Sequence, residues 1–124
     1  MRRLVVIPHI FPGMNDFIRA NRTKTSGRWS KGNAMKQADQ RLIMEYLPDV
    51  RFKKPVILKY TFYERNRRRD LDNISGYFHK VFQDALVRAG VLENDGWAQI
   101  KGYTDTFKID PKLPRVEISI EEAP

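Results

Sequence analysis

The sequence predicts one α+β domain with the element order β-α-β-α-β-β, in which a mostly antiparallel or mixed four-stranded sheet is packed by two helices. Three observations lead there. In one long segment, Ile74, Tyr77, Phe78, Val81, Phe82, Ala85, Leu86 and Ala89 recur at helical spacing and form an apolar face. Val56, Leu58, Tyr60 and Phe62 alternate with other residues, as do Val116, Ile118 and Ile120, which is the period of a strand with one buried side. The chain has 124 residues, enough for one modest core. It shows no internal repeat, so 1–124 is expected to be a single domain.

Taken in order, residues 2–7 read as a strand with Leu4, Val5, Val6 and Ile7 buried. Pro8 and His9 end that run too early for a signal peptide. Residues 8–13 form a turn region, and residues 15–33 a basic segment in which Arg19, Arg22, Lys24, Arg28 and Lys31 are interleaved with Phe17 and Trp29. That mixture suits phosphate neutralisation combined with base stacking, or else a basic loop anchored by Trp29. Residues 34–47 read as a helix with Asn33 as N-cap and Pro48 as terminator. A basic linker, 49–54, leads to the strand 55–64. The long helix follows, with Asp72 or Asn73 as its cap and Gly90 at the left-handed position after its end. His79 lies off the apolar face and is expected at the surface or facing a ligand. Asn94-Asp95-Gly96 signals a turn, 97–109 a strand with Gly102 as a candidate bulge, and 110–114 a hairpin loop before the last strand.

The formal net charge of +8 excludes little by sign alone, but the clustering of Lys and Arg and a pI near 9.9 are the footprint of a nucleic-acid binder. No basic amphipathic helix points to a membrane surface, and no apolar run is long enough to span one. There are no cysteines, so disulfides, zinc–thiolate sites and cysteine nucleophiles are excluded. A cytoplasmic location is compatible with this, including for a phage- or prophage-encoded chain.

The chemistry concentrates in Arg67-Arg68-Arg69-Asp70-Leu71-Asp72-Asn73. If its backbone is extended, Asp70 and Asp72 point to the same side, beside arginines able to hold a polyanion. Such hard oxygen ligands suit Mg²⁺, which is commonly held by one or two carboxylates together with phosphate oxygens and water. The alternative is a solvated loop with local Arg–Asp ion pairs.

Arg69-Asp70-Leu71-Asp72-Asn73, Lys80, Asp84-Ala85-Leu86, Ala89-Gly90 and Asn94-Asp95 together resemble the RusA family of Holliday junction resolvases, most clearly over residues 55–122. The resemblance implies a single RusA-like resolvase domain that forms a homodimer, binds four-way DNA junctions and nicks them in pairs with Mg²⁺ or Mn²⁺, in DNA recombination and repair. It implies that Asp70, Asp72 and Asp95 hold the metal and that Lys80 is catalytic. Arg69 is the basic residue before the first aspartate, and Arg67 and Arg68 extend the expected DNA contact. No membrane partner and no small-molecule cofactor are expected. The chain departs from the family pattern by four extra residues between Asn73 and Lys80. Either these lengthen the helix, or Asn73–Gly76 is a loop with Ser75 as the cap. Two further readings stay open at this point: a catalytically silent branched-DNA or single-strand binding protein, and a nuclease for flaps or forks.

Overall fold

The computed structural model describes residues 1–22 and 30–124. Its elements are β1 (Arg2–Ile7), α1 (Met14–Arg22), α2 (Lys31–Met44), β2 (Val56–Glu64), α3 (Leu71–Arg88), β3 (Ile100–Ile109) and β4 (Arg115–Glu122). The strands form a mixed four-stranded sheet in the order β1-β4-β2-β3. β4 is antiparallel to both β1 and β2, whereas β3 is parallel to β2. A parallel neighbour requires a crossover, and α3 supplies it.

Alternation decides which side of the sheet is covered. Val5 and Ile7, Val56, Leu58, Tyr60 and Phe62, and Val116, Ile118 and Ile120 all face the helices and are buried. Their partners in register confirm one continuous face, with Val5 opposite Ile118 and Ile118 opposite Tyr60. The other side carries charge, including the Lys59–Glu121 and Arg115–Glu117 pairs. Leu4 and Val6 lie on that open side and are exposed, contrary to the expectation that all four apolar residues of β1 are buried. A strand covered on one side can bury only every second residue.

α3 lays its apolar face on this sheet as expected, with Ile74 through Leu86 buried; Ala89, past its end, is exposed. Gly90 has φ 78°, the left-handed conformation that closes the helix. The helix starts at Leu71 with Asp70 as N-cap, earlier than Asp72 or Asn73, and it runs unbroken through Gly76. All residues between Asn73 and Lys80 are therefore helical rather than a loop, and Ser75 is not a cap but a buried residue whose hydroxyl donates to the Leu71 carbonyl.

Four other expectations are corrected. Residues 14–22, read as part of a basic loop, form a third helix. Gly13 N–H donates to the Asp16 carboxylate at 2.9 Å, which closes the first turn, and Phe17 packs on Tyr77. The N-cap of α2 is Ser30, whose hydroxyl accepts from Asn33 N–H, and α2 ends at Met44, before Pro48. Residues 110–114 do not close a hairpin, because β2 lies between β3 and β4. Trp97 to Gln99 form a turn ahead of β3. The irregularity expected at Gly102 is present: Val56 and Ile57 pair with Ile100 and Gly102, leaving Lys101 as the extra residue of a bulge.

Candidate functional site

β2 delivers the chain at Glu64, a short turn follows, and α3 begins at Leu71. The turn is organised by Asn66, whose side-chain oxygen accepts from Arg68 N–H at 3.0 Å. Asp70 has extended dihedrals, φ −68° and ψ 155°, but its carboxylate makes no cap hydrogen bond. An aspartate in this position ordinarily accepts from the second or third helical N–H. Here the carboxylate is exposed and left available for a ligand. Asp72 is exposed in the first turn of the same helix. Only Asp70 has the extended backbone that the same-side argument requires. The two carboxylates share only their place at the positive end of α3.

Asp70 borders an open groove of about 660 Å³, lined also by Arg67, Arg69, Leu71, Phe107 and Lys108. Arg67 and Arg68 are exposed and pair with no carboxylate among the described residues. Arg69 is held differently. Its Nε and Nη2 donate to the two Glu64 carboxylate oxygens at 3.0 Å each, and its Nη1 donates to the Phe11 carbonyl at 2.9 Å. Arg69 thus braces the turn on which Asp70 sits, with three of its five N–H donors occupied. Glu64 carried no signal in the sequence beyond a charge at the end of an apolar strand.

The remaining expected residues lie apart from this groove. Asp95 is exposed in the turn after α3, with its N–H bonded to the Asn94 side chain at 2.9 Å. It lines a different cleft, with Gln83, Trp97, Lys101 and Tyr103. α3 has 18 residues, about 27 Å at 1.5 Å each. Asp70 and Asp72 precede and open this helix, and Asp95 lies beyond its other end. Among the described residues no group of three His, Cys, Asp or Glu side chains converges as a metal site. Lys80 is exposed on α3, about 12 Å along the axis from Asp72. Arg19 and Arg22 are exposed on α1, and Lys31 opens α2. Arg19 also lies 3.7 Å from Asp16. Lys24 and Arg28 fall outside the described residues.

His79, expected at the surface or facing a ligand, is mostly covered and has a partner within the chain. Its Nε2 lies 2.7 Å from Asp105 Oδ1, and its ring packs on Tyr60 and Tyr103 with centroids 4.6 Å apart in each case. Behind α3, the Tyr77 hydroxyl donates to Asp39 at 2.6 Å. Burial raises the pKa of the Asp39 carboxyl, opposed by that hydrogen bond, and burial also raises that of the Tyr77 phenol. These pairs join distant parts of the chain and had no local signal.

A scan against protein-family models finds no match for the chain, and a search of curated proteins finds none either. Among the described residues no helix is long and apolar enough to cross a membrane. The molecule is a two-layer α+β domain with a basic, carboxylate-bearing groove at one end of its longest helix.

Proposed function

We propose that this protein is a metal-dependent endodeoxyribonuclease that binds branched DNA, four-way junctions above all, and resolves it by paired nicks as a two-fold homodimer. The observation that carries this reading is the uncapped Asp70 carboxylate, set at the mouth of a groove with Arg67 and Lys108 on its walls. A carboxylate beside a surface built for phosphates weakens binding unless a cation lies between them. The donor set fits Mg²⁺ or Mn²⁺: Asp70 and Asp72 offer exposed hard oxygens, and water and phosphate oxygens complete such a shell. A divalent cation there supplies charge neutralisation and an activated water. Arg67 and Arg68 hold the flanking phosphates, and Arg69, through Glu64, keeps the Asp70 turn in place. The RusA-like motif order supports the same reaction.

Asp95 enters this reading through the second subunit. Within one chain it lines a different cleft from Asp70, beside the C-terminal half of α3, and a two-fold axis that sets two α3 helices antiparallel brings Asp95 of one copy to Asp70 and Asp72 of the other. Symmetry then yields two equivalent sites for two strands. The competing reading is a branched-DNA binding protein without cleavage, and the separation of Asp95 from Asp70 in the single chain favours it. A nicking assay on four-way junctions, flaps and forks, with Mg²⁺ and with EDTA, decides between them. Asp70→Asn, Asp72→Asn and Asp95→Asn are each expected to abolish nicking and leave junction binding intact. Mixing the Asp70→Asn and Asp95→Asn proteins should restore nicking at one site per dimer. No cleavage of any branched DNA by the wild type in Mg²⁺ would leave the binding protein as the correct reading.

A further inference from the structure

Trp97 is 95% exposed, and Tyr103, on the edge strand β3, is 53% exposed. Both line the second cleft, of about 290 Å³, between the C-terminal half of α3 and the start of β3. We propose that this cleft is a stacking site for one unpaired nucleobase. The inference rests on the nucleic-acid reading above but uses a different surface from the Asp70 groove of the same chain.

The cleft is built for a flat ring. Tyr103 stands on the helix side of the sheet, where it packs against His79 with centroids 4.6 Å apart and against Tyr60 at 6.2 Å. His79 is in turn tied to Asp105 at 2.7 Å. Tyr103 is therefore oriented before any ligand arrives, with much of its ring still open to solvent. Stacking on such a preset ring costs little side-chain ordering. Trp97 adds a second ring whose surface nothing in the described chain covers. Gln83, which donates to the Tyr60 hydroxyl at 3.3 Å, brings polar atoms to the same cleft, as a base edge requires.

Charge decides which part of a nucleotide enters. Lys101 is the one cation among the residues that line the cleft, and two of the others are the Trp97 and Tyr103 rings, so the base and not the backbone occupies it. Lys101 at the cleft and Lys80, three residues before Gln83 and so on the same helical face, are placed for the phosphates on either side. The volume suits a single ring system, and the lysines at Lys101 and Lys108 disfavour addition of a second copy along the β3 edge.

The test uses the full chain in EDTA, so that binding is read without cleavage. The probes are a duplex with a single unpaired 2-aminopurine and the same duplex fully paired. The wild type is expected to quench the 2-aminopurine and to bind the unpaired probe more tightly. Trp97→Ala should lose the quenching and about tenfold in affinity for the unpaired probe, with affinity for the paired duplex unchanged. Tyr103→Phe should behave as wild type and Tyr103→Ala as Trp97→Ala. Equal binding of the unpaired probe by wild type and Trp97→Ala, without quenching by either, overturns the proposal. So does a shift from dimer to monomer in Trp97→Ala, which would assign the ring to a subunit contact. If the wild type binds neither probe, the nucleic-acid reading itself fails, a result distinct from failure of the stacking site alone.

Discussion

Arg69 grips Glu64 with two parallel hydrogen bonds of 3.0 Å, and the side chains of the pair are only 24% and 11% exposed. Removing one member leaves the other desolvated without its partner. Arg69→Ala is expected to lower unfolding free energy by about 2–4 kcal/mol. Arg69→Lys should recover little of it, because an ammonium cannot reproduce the planar two-point contact. Denaturant unfolding measures both. A loss below about 0.5 kcal/mol, the size usual for surface substitutions, would show that the pair does not hold the turn. Because Asp70 follows directly, Arg69→Lys should also slow nicking more than it weakens junction binding.

Gly76 and Gly90 should respond in opposite ways to alanine. Gly76 is inside α3, where alanine is favoured by about 1 kcal/mol. An added methyl would approach Met14 Cε to 3.1 Å, the movable end of a flexible side chain. Gly76→Ala is therefore expected to be neutral to mildly stabilising. Gly90 has φ +78° with open space around it, so its cost is purely backbone. Gly90→Ala should destabilise by about 1–2 kcal/mol. Thermal melts of the two variants should shift in opposite directions, or only Gly90→Ala should shift.

Replacing Arg67 and Arg68 together by alanine should weaken binding of all DNAs alike. Each phosphate contact contributes about 0.9 to the slope of log affinity against log salt, so the double variant should flatten that slope by about 1–2. A loss confined to particular sequences, at unchanged slope, would show that these arginines read bases.

The turn between β3 and β4 supplies a pH dependence. The Arg115 guanidinium donates to Asp110 at 2.9 Å and, with the Leu113 and Lys112 N–H groups, holds that carboxyl below the usual aspartate range. A carboxyl whose folded pKa is depressed contributes stability above its unfolded value and loses it as pH falls through the folded one. The wild type should therefore lose this contribution below about pH 4, the ordinary aspartate range. Arg115→Leu should remove that part of the acid dependence and move the Asp110 titration, followed by carboxyl-carbon NMR, back up. An unmoved titration would show that the backbone N–H groups alone hold the carboxyl.

Some of this architecture is legible in the amino-acid order because it is periodic. The burial of Val56, Leu58, Tyr60 and Phe62 in β2 and of Ile74 through Leu86 in α3 follows from repeats of two and of 3.6 residues, which each segment carries within itself. The left-handed Gly90 and the adjacency of Asp70 and Asp72 are equally local. Helix starts were harder to place, since Ser30, Asp16 and Asp70 compete with neighbouring polar residues and hydrogen-bond geometry selects among them.

The tertiary structure alone decided what distance along the chain conceals. That β2 separates β3 from β4 depends on strand pairing, which no repeat encodes. The parallel β2–β3 pair forces α3 to run the full length of the sheet, and this places Asp95 at the opposite end of the helix from Asp70. The same crossover brings His79 against Asp105 and leaves Tyr103 only half covered at the sheet edge. Periodicity specifies which side of an element is buried; only packing specifies which elements meet, and the meeting of elements fixes the distances on which chemistry depends.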